Sequence, residues 1–182
     1  MALDLAGLFF IVALGLVVGS FFNVCIYRIP RRESLAWPSS HCPTCSHTLN
    51  VLDLIPVFSF LFLRGLCRYC KAPISWRYPI VESLTAVLWV LAWRKFGLSL
   101  EFLSAVIFIS LGIIITFIDL DLQIIPDVIS LPGVVIGLLL AFLSGRPSIT
   151  DALIGAFGGA ALLFLVAILS RGGMGGGDAK LL

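Results

Sequence analysis

The chain has 182 residues, of which 60% are hydrophobic and only 12% are charged. A soluble domain needs more polar residues than this to cover its surface, so the composition indicates a chain whose outer surface contacts lipid. The net charge is only +2, which gives no support to nucleic-acid binding.

Five apolar segments approach the roughly 20 residues that a helix needs to cross the hydrocarbon core of a bilayer. They are residues 5–27, 79–93, 98–118, 128–143 and 152–169. The first lacks the basic start and small-residue cleavage site of a secretory signal, so we interpret it as a retained transmembrane helix. The predicted fold class is therefore all-α, a polytopic transmembrane helix bundle.

The distribution of basic residues predicts the orientation of the chain. Residues 28–77 hold seven Arg and Lys side chains, so the positive-inside rule places this loop in the cytoplasm and the N-terminus outside. Counting crossings then places residues 119–127 and the residues after 170 on the cytoplasmic side. A shorter apolar run, residues 51–63, is interrupted by Asp53 and Pro56. We expect this run at the cytoplasmic interface or packed under the loop.

The cytoplasmic loop carries two CxxC pairs, Cys42 with Cys45 and Cys67 with Cys70, and 21 residues separate them. Two such turns can present four thiolates to one tetrahedral zinc, which leaves no open position and makes the metal structural. Two disulfides are the rival interpretation, although they rarely persist in a reducing cytoplasm. His41 and His47 flank the first pair and are alternative ligands. Cys25 is read as a small apolar residue of the first helix.

Aspartates follow two of the predicted membrane helices. Asp119 and Asp121 lie at the end of the third segment, and Asp178 follows the fifth within a glycine run. Because these two helices run in the same direction, Asp119 and Asp178 are predicted to reach the same face, where paired carboxyls share a proton and provide one acid and one base. Proton relay in a transporter is the close alternative, and Asp127 is expected to cap the fourth helix.

Several motifs occur in a characteristic order along the chain. They are GSFFNV from Gly19, YRIP from Tyr27, the two CxxC pairs, PISWRYP from Pro73, IDLD from Ile118 and GMGGGDAKLL from Gly173. Together they resemble the bacterial type IV prepilin peptidases, bifunctional leader peptidase/N-methyltransferases of the GxGD aspartyl protease type. The resemblance implies that Asp119 and Asp178 are catalytic.

The resemblance also implies the substrate, cofactor and location. The expected reaction is cleavage of prepilins or pseudopilins after the glycine that ends their leader, in the bacterial inner membrane. A second activity would methylate the new N-terminus from S-adenosylmethionine, with no residue assigned to it. Residues 1–78 would form the methyltransferase-associated region and residues 79–182 the peptidase region.

Two further expectations concern the limits of the resemblance. Family members continue past the GxGD motif, so we expect the sequence to be truncated at its C-terminus and do not expect this chain to be active alone. The rival functions are a preflagellin peptidase, which lacks the cysteine loop, and a zinc-loop transporter or scaffold in which the aspartates relay protons.

Overall fold

The computed structural model describes residues 5–145, together with residues 148, 150, 151, 153–155 and 158. Its helices are α1 (Leu5–Arg28), α2 (Phe58–Phe62), α3 (Arg77–Phe96), α4 (Leu100–Leu122) and α5 (Asp127–Ser144), with a short 3-10 helix at Val51–Asp53. The predicted all-α class is confirmed.

Three helices within the described residues, α1, α4 and α5, are long and apolar enough to cross a membrane. Helix α3 spans 20 residues, longer than the predicted 79–93, and it carries Glu82 along its length and Arg94 and Lys95 in its last turn. Pro132 lies within α5 without ending it, as expected for a membrane helix. The fifth predicted segment, residues 152–169, falls mostly outside the described residues.

The chain divides into two compact units, Met1–Lys95 and Phe96–Leu182. In the first unit α1 packs closely on α3 because glycines lie at their contact. A Cβ added at Gly15 would lie 2.7 Å from the Cα of Ala86, and one added at Gly19 would lie 2.8 Å from the Cα of Glu82. Small residues four positions apart allow membrane helices to approach this closely. The later glycine of α1, Gly19, contacts the earlier residue of α3, Glu82, so the two helices are antiparallel.

In the second unit α4 and α5 pack against each other. The Ser99 hydroxyl caps α4 by accepting a hydrogen bond from the Phe102 N–H at 3.2 Å, which satisfies one of the free donors of the first turn. The helix ends at Leu122, and the C-cap residue Gln123 has a left-handed backbone (φ 54°) and donates its N–H to the Asp119 carbonyl at 2.8 Å. This tight ending leaves only a short connection before α5.

Residues 29–76 join α1 to α3 and contain little regular structure. Two of their turns are closed by isolated β-bridges, His41 with Thr48 and Leu66 with Pro73. Each bridge closes one CxxC pair into a compact turn, and these turns form the best-defined site in the loop.

Candidate functional site

The two cysteine turns share one backbone geometry. In the first the Cys42 N–H donates to the His47 carbonyl at 3.0 Å, and in the second the Cys67 N–H donates to the Ala72 carbonyl at 2.8 Å. The residue after each second cysteine has a positive φ, 56° in the first turn and 60° in the second. This left-handed residue reverses the chain, so that both sulfurs of a turn face the same side.

The turns bring together the four cysteines that the sequence predicted as ligands. The sulfurs of Cys42, Cys45, Cys67 and Cys70 all lie within 4.8 Å of one another, and the Sγ atoms of Cys42 and Cys70 are 3.8 Å apart. A tetrahedral zinc with bonds of about 2.3 Å places its sulfurs about 3.8 Å apart, so the cluster has the dimensions of such a site. All four cysteines are free thiols rather than disulfides.

The thiols differ in acidity because their surroundings differ. The N–H groups of Cys45 and Thr44 lower the pKa of Cys42 to about 6. At Cys70 the Ala72 N–H favours the thiolate, but burial and the neighbouring sulfurs outweigh it and raise the pKa to about 11. Metal binding requires thiolates, so a cation here would displace the protons that the sulfurs share.

The flanking histidines lie outside this cluster. Among the described residues, the side chains that lie close enough together to bind one metal ion are the four cysteines. The ring of His47 stacks on Tyr69, with centroids 3.6 Å apart and planes inclined by 33°, and the Nδ1 atom of His41 lies 3.1 Å from the Ser39 carbonyl. These contacts support the four-sulfur prediction over a mixed sulfur and nitrogen set.

Asp53 ties the two halves of the loop together, a role that sequence reasoning missed. Its carboxylate accepts hydrogen bonds from the Arg68 guanidinium, from the Tyr69 hydroxyl at 3.1 Å and from the Asn50 N–H at 3.1 Å. Burial by itself would raise the pKa of Asp53, but these donors outweigh it and lower the pKa. The signal in the sequence is an acidic residue isolated in an apolar run, since such a residue needs partners when it is buried.

The structure places one member of the predicted aspartate pair. Asp119 lies in the last turn of α4 and is half-buried, while Asp121, two residues later, is exposed. Asp127 is the first residue of α5, and Pro126 occupies the N-cap position, so Asp127 contributes its charge to the first turn rather than the cap itself. Asp178 and the glycine run lie outside the described residues.

These features define a class of protein: a polytopic helical membrane protein with a closed four-cysteine centre and a carboxyl group at the end of a membrane helix. Residues 13–96 match the bacterial peptidase A24 N-terminal domain, and residues 106–182 match the type IV leader peptidase family. The first region contains all four cysteines, and the second contains both Asp119 and Asp178. The chain belongs to this family, as its motifs predicted.

Curated relatives carry the name prepilin leader peptidase/N-methyltransferase. The chain is 46% identical to the protein from Myxococcus xanthus (strain DK1622) over 81% of this chain and 44% of that protein. It is 41% identical to the protein from Bacillus subtilis (strain 168), over 92% of this chain and 67% of the relative. The relative from Dichelobacter nodosus is 36% identical, over 97% and 73% respectively. No solved structure matches the chain.

Proposed function

We propose that this protein cleaves the leader peptide from type IV prepilins or pseudopilins at the cytoplasmic face of the inner membrane. The observation that carries the proposal is the family match across residues 106–182, which includes Asp119 at the end of a 23-residue apolar helix. A carboxyl group in this position meets a substrate that approaches along the membrane surface. The relatives' name also supports methylation of the new N-terminus from S-adenosylmethionine, and we assign no residue to that donor.

The proposed chemistry uses Asp119 and Asp178 as one unit. One carboxylate takes a proton from water as the water attacks the scissile carbonyl, and the other carboxylic acid donates a proton to the leaving amine. We expect the pair to share one proton, because two carboxyl groups held close together cannot both ionise easily.

The proposed topology places the cysteine loop and both aspartates on the same side of the membrane. The basic residues of the loop support a cytoplasmic location for it. The ends of α1 and α4 are then cytoplasmic if α1, α3 and α4 each cross once. The peptidase site would face the compartment in which prepilin leaders are made.

The four cysteines would hold a structural zinc. The 3.8 Å separation of the Cys42 and Cys70 sulfurs supports tetrahedral coordination at about 2.3 Å. Four sulfurs fill such a shell, so the metal would hold the two turns together rather than bind water for catalysis. We assign residues 1–78, the first transmembrane helix and the zinc loop, to the methyltransferase-associated region, and residues 79–182 to the peptidase region.

The decisive test measures cleavage of a prepilin by the full-length protein in detergent. Asp119→Asn and Asp178→Asn keep the side-chain size and remove the titrating group, so each should abolish cleavage. The double variant should lose little more, because the pair acts as a unit. Asp121→Asn is the matched control, two residues from Asp119, and should retain substantial activity. Near-normal cleavage by either Asp119→Asn or Asp178→Asn would refute the aspartyl-protease mechanism and favour the proton-relay alternative.

A further inference from the structure

A strained turn in the cysteine loop is held by a buried carboxyl group of α3. Val57 has φ 61° and ψ −50°, a backbone conformation that β-branched residues rarely adopt. The Phe58 N–H donates to the Pro56 carbonyl at 2.6 Å, which closes a three-residue γ-turn of the rare positive-φ type. The Val57 N–H, which points out of this turn, donates to the Glu82 carboxylate at 2.7 Å.

The position of Glu82 along α3 gives the depth of this turn. Glu82 is only 6% exposed, and it lies five residues after Arg77, where α3 begins. At about 1.5 Å per residue this is about 7.5 Å along the helix. A Cβ added at Gly19 of α1, a candidate membrane span, would lie 2.8 Å from the Glu82 Cα, so the turn meets α3 at a level within the length of α1 and not beyond its end.

Aromatic side chains lie at one level on the neighbouring elements, where α1 ends and α3 begins. Tyr27 at the end of α1 and Trp76 and Tyr78 at the start of α3 are all exposed, and such rings collect at membrane–water interfaces. Trp76 also contacts the ring of Phe60 in α2, with centroids 4.7 Å apart and planes inclined by 61°. Helix α2 therefore lies at the level of this aromatic group.

The outward face of α2 is apolar. Phe58, Leu61 and Phe62 are spaced three and four positions apart, which places them on one side of the helix. All three are exposed, Phe62 to 85%, whereas Phe60 on the opposite side is buried. The preceding 3-10 helix continues this character, because Val51 and Leu52 are also exposed.

The residue that follows this face carries a positive charge. Arg64 lies two residues after Phe62, the last residue of α2, and is exposed. An apolar face bordered by Arg is complementary to a leaflet with acyl chains inside and anionic headgroups outside. A protein groove would satisfy the apolar residues but gives no reason for their depth beside Glu82 and Trp76.

We infer that residues 51–62, here called the interfacial segment, insert their exposed apolar face into the leaflet on the side of the cysteine loop. Glu82 anchors the segment through Val57, and Arg64 contacts anionic headgroups. The cysteine turns on either side of the segment are thereby held against the membrane surface. The inference does not rest on the proposed peptidase activity, since it concerns contact with lipid alone.

The test places the photoreactive residue p-benzoylphenylalanine at position 62 of the full-length protein. The protein is reconstituted in vesicles of phosphatidylethanolamine and phosphatidylglycerol, irradiated, and analysed for lipid adducts by mass spectrometry. The same residue at Phe9, exposed on α1, is the positive control, and at Thr44, exposed in the first cysteine turn, the negative control. Position 62 should yield adducts comparable to position 9 and several-fold above position 44. Position 61 provides a second site if the first variant folds poorly.

Two variants test the anchor and the charge. Glu82→Ala should reduce the lipid adduct at position 62 several-fold and leave that at position 9 unchanged, because it frees the Val57 turn. Arg64→Gln should lower the share of phosphatidylglycerol among the adducts, and an unchanged share would overturn the headgroup contact. Lipid adducts at position 62 no higher than at position 44 would overturn the insertion. Crosslinking of position 62 to an added prepilin peptide or to a second copy of the chain, in place of lipid, would also overturn it. Each outcome is read without any cleavage assay, so loss of peptidase activity would leave the result intact.

Discussion

The contact between α1 and α3 predicts that a single added methyl group at Gly19 destabilises the protein. In Gly19→Ala the new Cβ would lie 2.8 Å from the Cα of Glu82, 3.0 Å from the Oγ1 of Thr85 and 3.1 Å from its Cβ. Ordinary contact begins at 3.4 Å. The nearest of these atoms is backbone and cannot rotate away, so the helices must separate by 0.6 Å or more at this point (3.4 minus 2.8).

The size of the effect follows from that separation. A gap of about 0.5–1 Å forfeits roughly a quarter to a half of the dispersion energy of each contact across it. Overpacking of this kind costs about 1–3 kcal/mol, while the better helix propensity of alanine returns about 0.5–1 kcal/mol. The difference is a net loss of up to about 2.5 kcal/mol, with a centre near about 1 kcal/mol. For a chain of this size, this lowers the melting temperature by several degrees, at about 2–4 °C per kcal/mol.

The assay is thermal unfolding in detergent, followed by circular dichroism, with a glycine of α4 as the matched control. A Cβ added at Gly112 meets no atom within 4 Å, so Gly112→Ala should leave the melting temperature unchanged or raise it slightly. Gly15→Ala should behave like Gly19→Ala, because its Cβ would lie 2.7 Å from the Ala86 Cα. A melting temperature for Gly19→Ala equal to that of Gly112→Ala would refute the close packing of α1 on α3.

Three further predictions concern the loop and the topology. Metal analysis should find about one zinc per chain, and Cys42→Ser should lose it and make the loop more sensitive to protease without abolishing cleavage. Cys25→Ala should keep the metal, and equal zinc in both variants would contradict the four-sulfur site. Because its partners lower the pKa of Asp53 below the ordinary value of 3.8, the ionised carboxylate stabilises the loop at neutral pH, and this contribution disappears as pH falls through the lowered pKa. Asp53→Asn should therefore lower the melting temperature at pH 7, and the difference from the unmodified protein should close below that pKa; a difference independent of pH would count against the ionic contact. A cysteine at Ser148 should react with an impermeant reagent applied outside intact cells and one at Ile124 should not, whereas the reverse pattern would invert the topology.

Among the described residues, the sequence alone predicted α1, α3, α4 and α5 and the centre formed by four cysteines. Long apolar segments predict membrane helices because a lipid environment requires every backbone group to form its hydrogen bond within the segment. Helix α1 is one residue longer than predicted at its C-terminal end, and α5 is one residue longer at each end. CxxC spacing predicts the sulfur cluster because two ligands in one turn are already close before the chain folds. The motif order identified the family. The pairing of Asp119 with Asp178 remains a prediction, as does the division at residue 78.

Only the tertiary structure revealed the contacts that hold the loop to the helices. No local sequence pattern predicts these contacts. Asp53 bonds to Arg68, 15 residues away in sequence, and Val57 bonds to Glu82, 25 residues away. The close approach of α1 likewise depends on which face of α3 meets Gly15 and Gly19. Composition and periodicity describe what a segment can bury, since they reflect its own side chains. The packing of segments that are distant in sequence decides which groups surround those side chains in the folded protein.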